Sequence, residues 1–328
     1  MKKAFSIAAV AALWAQNVAG HATFQALWSE GADFGSQCAR LPGSNNPVTS
    51  VASNDVRCNA GTSTVLGKCP VKAGSIVTVE MHQQPNARNC TIEAIGGAHY
   101  GPVMVYMSKV SDAVTADGST GWFKVFQDSW AKKAGSGPGD DDYWGAKDLN
   151  ACCGKMNVKI PADLAPGDYL MRAEVIALHT AGSLGNAQLY MTCFQLTVSG
   201  TGTAAPPTVV FPGAYKASDP GILVDIHAAL STYIAPGPTV YAGGSTKSAG
   251  SGCSGCESTC TVGAGPVATA TKASTSAAAT GTAAPVGGGS CTVARYAQCG
   301  GTGYTGCTTC VSGATCSGVS PPYYSQCV

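Results

Sequence analysis

The segment QLYMTCFQLTV, residues 188–198, is a clear strand and decides the fold class of the chain. It is rich in the β-branched and aromatic residues that favour strands. Because successive side chains of a strand alternate between its two faces, Gln188 and Tyr190 share one face. Cys193 lies on the other face, where it is available for a disulfide in the core.

Further strand-like runs of similar composition lie at residues 76–80, 103–107, 122–126 and 168–176. Most of them are bounded by clusters of Gly, Pro, Asn or Asp, which are typical of turns. No long segment shows the apolar spacing of an amphipathic helix with caps at both ends. The sequence therefore predicts an all-β protein, an antiparallel β-sandwich with long loops at residues 31–70 and 131–155.

Residues 1–20 have the pattern of a secretory signal peptide. A basic start at Lys2 and Lys3 is followed by a short apolar run and then by small residues up to Gly20. Such a segment is removed from the mature protein. We therefore expect a secreted, extracellular protein whose mature chain begins at His21.

The remaining chain divides by composition into three parts. Residues 21–245 hold nearly all the charged and aromatic residues and are long enough for one large core. Residues 246–290 are mainly Ser, Thr, Gly, Ala and Pro, so we expect a linker. Residues 291–328 contain six cysteines in a short segment. The chain has 16 cysteines, an even number that predicts a disulfide framework in an oxidising compartment.

Charge excludes several classes of partner. Only 11% of residues are charged and the formal net charge is +1, whereas about 25% of residues are charged in an ordinary domain. No basic surface for nucleic acid or for an acidic membrane is therefore expected. A neutral surface, such as an insoluble polysaccharide, suits this composition better.

His21 gives the first chemical prediction. The α-amine of a chain has a pKa near 8, about two units below that of lysine, so a metal displaces its proton readily. An N-terminal histidine offers this amine and a ring nitrogen to one ion, and a second histidine would complete the ligand set. Copper(II), which favours tetragonal nitrogen and oxygen ligands, suits such a set. The alternative is a histidine that stands at this position by chance.

The second histidine is predicted to be His99, which lies in a glycine-rich loop before a strand. A solvated loop histidine is the alternative interpretation. Tyr190, Gln188 and His179 could together provide an axial ligand and two hydrogen-bonding groups beside a bound oxygen species. A buried tyrosine with a polar neighbour is the competing explanation for Tyr190.

Several motifs in residues 21–245 together resemble the auxiliary activity family 9 lytic polysaccharide monooxygenases, formerly family 61 glycoside hydrolases. These motifs are HATF (21–24), GGAHYGPV (96–103), RAEVIALH (172–179), QLYMTC (188–193) and the segment at 219–238. The resemblance implies an immunoglobulin-like sandwich with one copper ion on a flat face.

The resemblance also implies a role for individual residues. His21 and His99 would bind copper, with Tyr190 as the axial ligand. His179 and Gln188 would position the oxygen co-substrate. It further implies a Cys58–Cys193 disulfide and places Tyr233 on the substrate face, although packing of Tyr233 against the domain is an equal alternative.

The C-terminal segment resembles a family 1 carbohydrate-binding module over its whole length, through YAQCGGTGYTG (296–306) and PYYSQC (322–327). A module this small needs disulfides because its core is inadequate. The resemblance implies the pairs Cys299–Cys316, Cys310–Cys327 and Cys291–Cys307. It also implies an aromatic strip with hydrogen-bonding neighbours, made of Tyr296, Tyr323, Tyr324, Gln298 and Gln326. A disulfide-rich toxin or inhibitor is the alternative.

Taken together, the sequence predicts a monomeric copper monooxygenase. Its partners would be crystalline cellulose or a related β-glucan, O2 or H2O2, and an external electron donor. A glycoside hydrolase is the first alternative, although no pair of carboxylates stands out, and a non-catalytic cellulose-disrupting protein is the second.

The sequence does not assign partners to the remaining cysteines, which are Cys38, Cys69, Cys90, Cys152, Cys153, Cys253, Cys256 and Cys260.

Overall fold

The computed structural model describes residues 20–63, 65, 67–253, 292, 298–300, 307–320 and 324–327. Within these ranges the chain forms two separate units, and each is treated by itself. In the same ranges, no helix combines the length and the apolar character needed to cross a membrane.

The large unit is a sandwich of two sheets. One sheet has four strands in the order β10-β5-β1-β2, and the other has seven, in the order β13-β7-β6-β11-β12-β3 with β4 also paired to β12. Most pairings are antiparallel, and β4 and β13 join their neighbours in parallel. These strands confirm the predicted all-β class.

The strands of the large unit are β1 (Thr23–Ser29), β2 (Ala32–Asp33), β3 (Ala39–Arg40), β4 (Cys69–Lys72), β5 (Ile76–His82), β6 (Val103–Val110), β7 (Phe123–Asp128), β8 (Trp130–Ala131), β9 (Tyr143–Trp144), β10 (Lys155–Lys159), β11 (Gly167–Ala177), β12 (Gln188–Ser199) and β13 (Ser245–Lys247). The described helices are α1 (Gly145–Ala151) and two 3-10 turns, Asn54–Val56 and Gly139–Asp141.

The seven-stranded sheet is buried on both faces. One face packs against the four-stranded sheet, and Tyr190, Phe194 and Leu196 of β12 lie in that core. The other face is covered by loops, and Met191 and Cys193 of the same strand lie in a second core beneath them. The alternation predicted for β12 is therefore realised, with both of its faces buried.

Disulfides attach the long loops to this framework. Cys193 is joined to Cys58, the pair that the family resemblance implies. The structure also gives partners to cysteines that the sequence left unassigned, as Cys38–Cys69 and Cys90–Cys153.

Several elements of the large unit were not anticipated from the sequence, among them strands β1 and β10 and helix α1. β1 carries no polar–apolar alternation because all of its residues are buried. Helix α1 lies within the predicted loop at 131–155, and no side chain caps its N-terminus.

The packed chain also continues beyond the boundary at residue 245 that composition suggested. β13 pairs with β7 in the large sheet, and Lys247 forms ion pairs with Asp128 and Asp148. Small polar residues can be held to a domain by hydrogen bonds even where they contribute little apolar surface, which is why composition placed the boundary too early.

The small unit contains a sheet of three strands, in the order β14-β16-β15. They are β14 (Gln298–Gly300), β15 (Cys316–Ser320) and β16 (Tyr324–Cys327). The disulfides Cys299–Cys316 and Cys310–Cys327 are both present. Cys291, Tyr296 and Tyr323 lie outside the described residues, so the Cys291–Cys307 pair stays a prediction.

Candidate metal centre

Four separate parts of the chain meet at one end of the seven-stranded sheet. His21 lies two residues before the start of β1, and His99 lies in the loop that leads into β6. β11 and β12 pair antiparallel, with Ala177 opposite Gln188 and Val175 opposite Tyr190. The start of β12 therefore lies beside the end of β11, and His179 lies two residues beyond that end.

The predicted ligands come together in the structure. The ring centroids of His21 and His99 are 6.1 Å apart, and both rings face Tyr190, at 6.1 Å and 5.8 Å. The ring of His179 lies 4.3 Å from that of His99. The sequence positions involved span residues 21–190, so only the fold brings them to one place.

A backbone carbonyl fixes the orientation of His99. Its Nδ1 lies 2.7 Å from the oxygen of Gly96. A carbonyl only accepts, so Nδ1 carries the proton and the lone pair on Nε2 is the one that a metal could use. Gly97 has a φ of 63°, a left-handed conformation that glycine adopts without strain. The glycine pair in this loop therefore holds the ring in one tautomer.

The electrostatic surroundings keep His99 neutral. Burial, together with the nearby His179 and His21, lowers the pKa of His99 to about 4. Metal binding requires the deprotonated ring. At neutral pH the ring of His99 is therefore already in the form that binds a metal.

Tyr190 lies beneath the two histidines with its ring fully buried. Its hydroxyl donates to Oε1 of Gln188 at 2.7 Å. Burial raises the pKa of Tyr190, so the phenol stays protonated at ordinary pH. A side-chain hydrogen bond also joins Gln188 to His99. Gln188 thus links Tyr190 to His99.

One ring nitrogen of His179 makes no hydrogen bond within the described part of the chain. Its Nδ1 is buried and has no hydrogen-bond partner among the described residues. Burial, and secondarily the charge of His227, lowers the pKa of His179. A buried nitrogen without a partner is costly unless a ligand or water satisfies it. This atom is therefore suited to hold a small polar molecule beside the histidines.

His227 connects the site to a neighbouring loop, a role that the sequence did not suggest. Its Nε2 lies 2.8 Å from the carbonyl oxygen of His179, and its Nδ1 lies 2.7 Å from Oδ2 of Asp140. Both partners are acceptors, so both ring nitrogens must carry protons. The hydrogen bonds to Asp140 and His179 accordingly raise the pKa of His227.

We expect His99 and His227 to titrate with pKa values on opposite sides of the ordinary histidine value near 6.5. In metal-free protein, NMR of the ring protons should give His99 a midpoint near 4 and His227 a midpoint above 6.5. The His227→Gln variant identifies the His227 resonance and should leave the low midpoint in place. A midpoint of about 6.5 for both rings would contradict this description.

Gly20 lies where the mature terminus would form. It is buried, and a Cβ built on it would stand 1.9 Å from Cε1 of His99. Cleavage after Gly20 converts the peptide nitrogen of His21 into an amine close to the ring of His99. Processing would therefore create a nitrogen ligand beside the imidazoles.

Asn45 is a second contributor that sequence reasoning missed. Its Nδ2 donates to the carbonyl oxygens of His21 at 3.4 Å and Gln83 at 2.9 Å. These bonds attach His21 to the loop after β5. His82, at the end of β5, is buried, and its Nε2 lies 2.8 Å from Oε1 of Glu80.

The predicted substrate contacts are less closely grouped. Tyr233 is half-buried, with its hydroxyl bonded to the carbonyl of Gly221 at 2.8 Å and its ring 4.9 Å from that of Trp144. It therefore packs against the domain, although the residue as a whole is partly exposed. In the small unit, Gln298 pairs with Gln326 across β14 and β16, and Tyr324 begins β16.

Comparison with known proteins decides the family. The model of Auxiliary Activity family 9, formerly GH61, matches residues 21–233, and thus starts at the histidine that begins the predicted mature chain. The chain belongs to Auxiliary Activity family 9. Oxidative cleavage of cellulose is the activity of this family, and its members are lytic polysaccharide monooxygenases.

Curated relatives extend the likeness over the whole chain. An AA9 family lytic polysaccharide monooxygenase B of Thermothielavioides terrestris is 73% identical over 99% of this chain and all of its own length. An AA9 family lytic polysaccharide monooxygenase E of Neurospora crassa is 70% identical over 97% of each chain.

Solved structures of the family share the sandwich. CvAA9A matches with a TM-score of 0.61 at 28% identity, covering 69% of this chain and all of its own. HiLPMO9B matches with a TM-score of 0.57 at 32% identity, covering 67% of this chain and 99% of its own.

The model of the fungal cellulose binding domain matches residues 295–323.

Proposed function

We propose that the mature chain, starting at His21, is a secreted, monomeric copper-dependent monooxygenase. It cleaves the β-1,4-glucan chains of crystalline cellulose at C1, C4 or both, using O2 or H2O2 and an external electron donor. The observation that carries this proposal is the convergence of His21, His99 and Tyr190 at the point where signal-peptide cleavage would release an amine.

The residues present fit copper. The amine and ring of His21 and Nε2 of His99 would be its nitrogen ligands, and the Tyr190 oxygen would be a further ligand. Nitrogen donors with a weaker oxygen ligand suit copper(II). The Gly96 carbonyl holds His99 in the required tautomer, as outer partners commonly do for ligating histidines. Copper would supply the redox chemistry that activates O2 or H2O2 for hydrogen removal from a sugar carbon.

The other residues would act on the co-substrate and the polysaccharide. Nδ1 of His179, which lacks a partner among the described residues, would bond to the oxygen species, together with Gln188. The protonated Tyr190 keeps its hydrogen bond to Gln188 and so holds that amide in place. The exposed part of Tyr233 and the residues of the C-terminal module would contact the glucan.

A glycoside hydrolase is the weaker proposal. That chemistry needs two carboxyl groups on either side of the scissile bond. The side chains gathered around His21 are instead imidazoles, a phenol and an amide. A binding protein without catalytic activity is distinguished only by the products that form.

The proposal is tested by the products released from crystalline cellulose. Mature protein with a verified His21 terminus is incubated with copper and ascorbate, and the released oligosaccharides are analysed by mass spectrometry. We expect aldonic acids, C4-keto sugars or both, and their disappearance when a chelator is added. Unoxidised products that persist with chelator would indicate a hydrolase, and cellulose binding without products would indicate a binding protein.

His179→Ala should separate copper binding from turnover. We expect the copper affinity to stay within about tenfold and the yield of oxidised products to fall roughly 10–100-fold, as for other outer partners of metal ligands. Leu184→Ala, an exposed residue in the same loop, is the matched control and should retain activity. Loss of tight copper binding in His179→Ala would instead make His179 a ligand.

A further inference from the structure

Residues 245–253, here called the C-terminal strap, are held on the large unit by hydrogen bonds and ion pairs. Lys247 Nζ lies 2.9 Å from Oδ2 of Asp148 in helix α1 and 3.5 Å from Oδ2 of Asp128. Oδ1 of Asp148 accepts from the backbone nitrogens of Gly250 at 3.2 Å and Gly252 at 3.1 Å. Asp148 therefore fixes the path of the strap along the helix.

This path brings Cys253 to Cys152, the residue that follows helix α1. Sγ of Cys253 donates to the carbonyl oxygen of Ala151 at 2.8 Å, and Sγ of Cys152 donates to that of Gly252 at 3.3 Å. Each sulfur thus bonds to the peptide directly before the other cysteine. A side-chain hydrogen bond also joins the two thiols.

The neighbouring cysteine is already engaged elsewhere. Cys153 is joined to Cys90, and it has a φ of 55°, the left-handed conformation that ends many helices. The turn at Cys153 lets consecutive cysteines reach different partners. The adjacent cysteines at 152 and 153, which the sequence alone did not explain, thus serve two different segments of the chain.

We propose that Cys152 and Cys253 form a disulfide that covalently anchors the C-terminal strap to helix α1. Formation breaks the two S–H bonds and makes one S–S bond. The two electrons and two protons pass to an oxidised dithiol of the secretory compartment, which is reduced from disulfide to dithiol. The bond closes a loop from residue 152 to residue 253.

The anchor has a consequence for the metal centre through helix α1. The nitrogen of Ala146 donates to the carbonyl oxygen of Gly101 at 3.0 Å. The side chain of Asn150 bonds to both the nitrogen and the oxygen of Ile95, each at 2.9 Å. The helix therefore supports both ends of the loop that carries His99. Fixing the strap on the outer side of the helix would limit the movement of that loop.

The cross-link is tested first by peptide mapping of the full-length secreted protein without reduction. Free thiols are blocked before digestion. We expect a peptide pair that links Cys152 to Cys253 and separates on reduction. Alkylated Cys152, or Cys253 joined to Cys256 or Cys260, would overturn the proposal. The mapping does not depend on enzyme activity, so its result is independent of the proposed function.

The consequence is tested with the double variant Cys152→Ala/Cys253→Ser, which avoids leaving a single thiol for exchange with other cysteines. Hydrogen exchange should become at least about tenfold faster in the strap, with a smaller increase in helix α1 and residues 95–101. Ser251→Ala, which removes the hydroxyl contacts to the Ser248 carbonyl at 2.7 Å and to Asp148 at 3.4 Å but leaves both cysteines in place, is the matched control and should change exchange less. Equal exchange in the wild type and the double variant would contradict an anchoring role.

Discussion

Protein that retains Gly20 ahead of His21 is expected to bind copper(II) more than about 100-fold more weakly than the mature chain. In the longer chain the nitrogen of His21 is an amide, whose lone pair is delocalised into the carbonyl group and whose proton a metal displaces far less readily than that of an α-amine. Gly20 itself lies against His99, where a Cβ would be 1.9 Å from Cε1. Even outer partners of metal ligands change affinity about 10–100-fold, so loss of a direct ligand should exceed that range.

Isothermal titration of metal-free protein with copper(II) measures this difference. The same preparation, after an aminopeptidase has removed Gly20, is the control and should regain tight binding. The release of oxidised sugars from cellulose should be lost and regained in parallel. Equal affinity before and after removal of Gly20 would show that the amine is not a ligand.

The Glu174→Gln variant is expected to lose about 3–5 kcal/mol of unfolding free energy, since it would leave a buried charge uncompensated. Arg172 and Glu174 are fully buried, and both guanidinium NH2 groups lie 2.6 Å from the carboxylate oxygens. Tyr215 donates to the same carboxylate at 2.6 Å. Arg172 also donates to the carbonyl oxygen of Val56 at 2.9 Å, which ties β11 to the loop beneath it.

Urea unfolding with the disulfides intact measures this loss. The control is Asp117→Asn, which removes the carboxylate from a pair with Arg57 whose Asp117 side chain is 67% exposed. Exposed pairs contribute roughly 0–1 kcal/mol, so this control should remain close to the wild type. Similar losses in both variants would contradict a special role for the buried pair.

The longest strands of this fold can be predicted from local sequence. The elements that the sequence does not predict are absent from the prediction for physical reasons. β11 and β12 are long, β-branched and aromatic, and both are central strands of the larger sheet. β1 is buried at every position, so the alternation that marks a half-exposed strand is absent. Helix α1 has only seven residues, too few for a recognisable period.

The residues of the candidate metal centre could be predicted from the sequence to different extents. His21 follows from the cleavage site and the chemistry of an α-amine. His99 and Tyr190 needed the motifs that resemble the family. His227 could not be found from sequence, because its bonds reach residues 48 and 87 positions away along the chain. The partners of Cys90 and Cys153 likewise depend on how the loops fold back.

Electron paramagnetic resonance of copper(II) protein tests the central claim most directly, because nitrogen hyperfine coupling reports the ligands themselves. Mature protein loaded with less than one equivalent of copper is compared with its His99→Ala variant and with chain that retains Gly20. The wild type should show coupling to the amine and to the rings of His21 and His99, and each altered protein should lose one nitrogen. Identical spectra from all three proteins would contradict the ligand set proposed for this site.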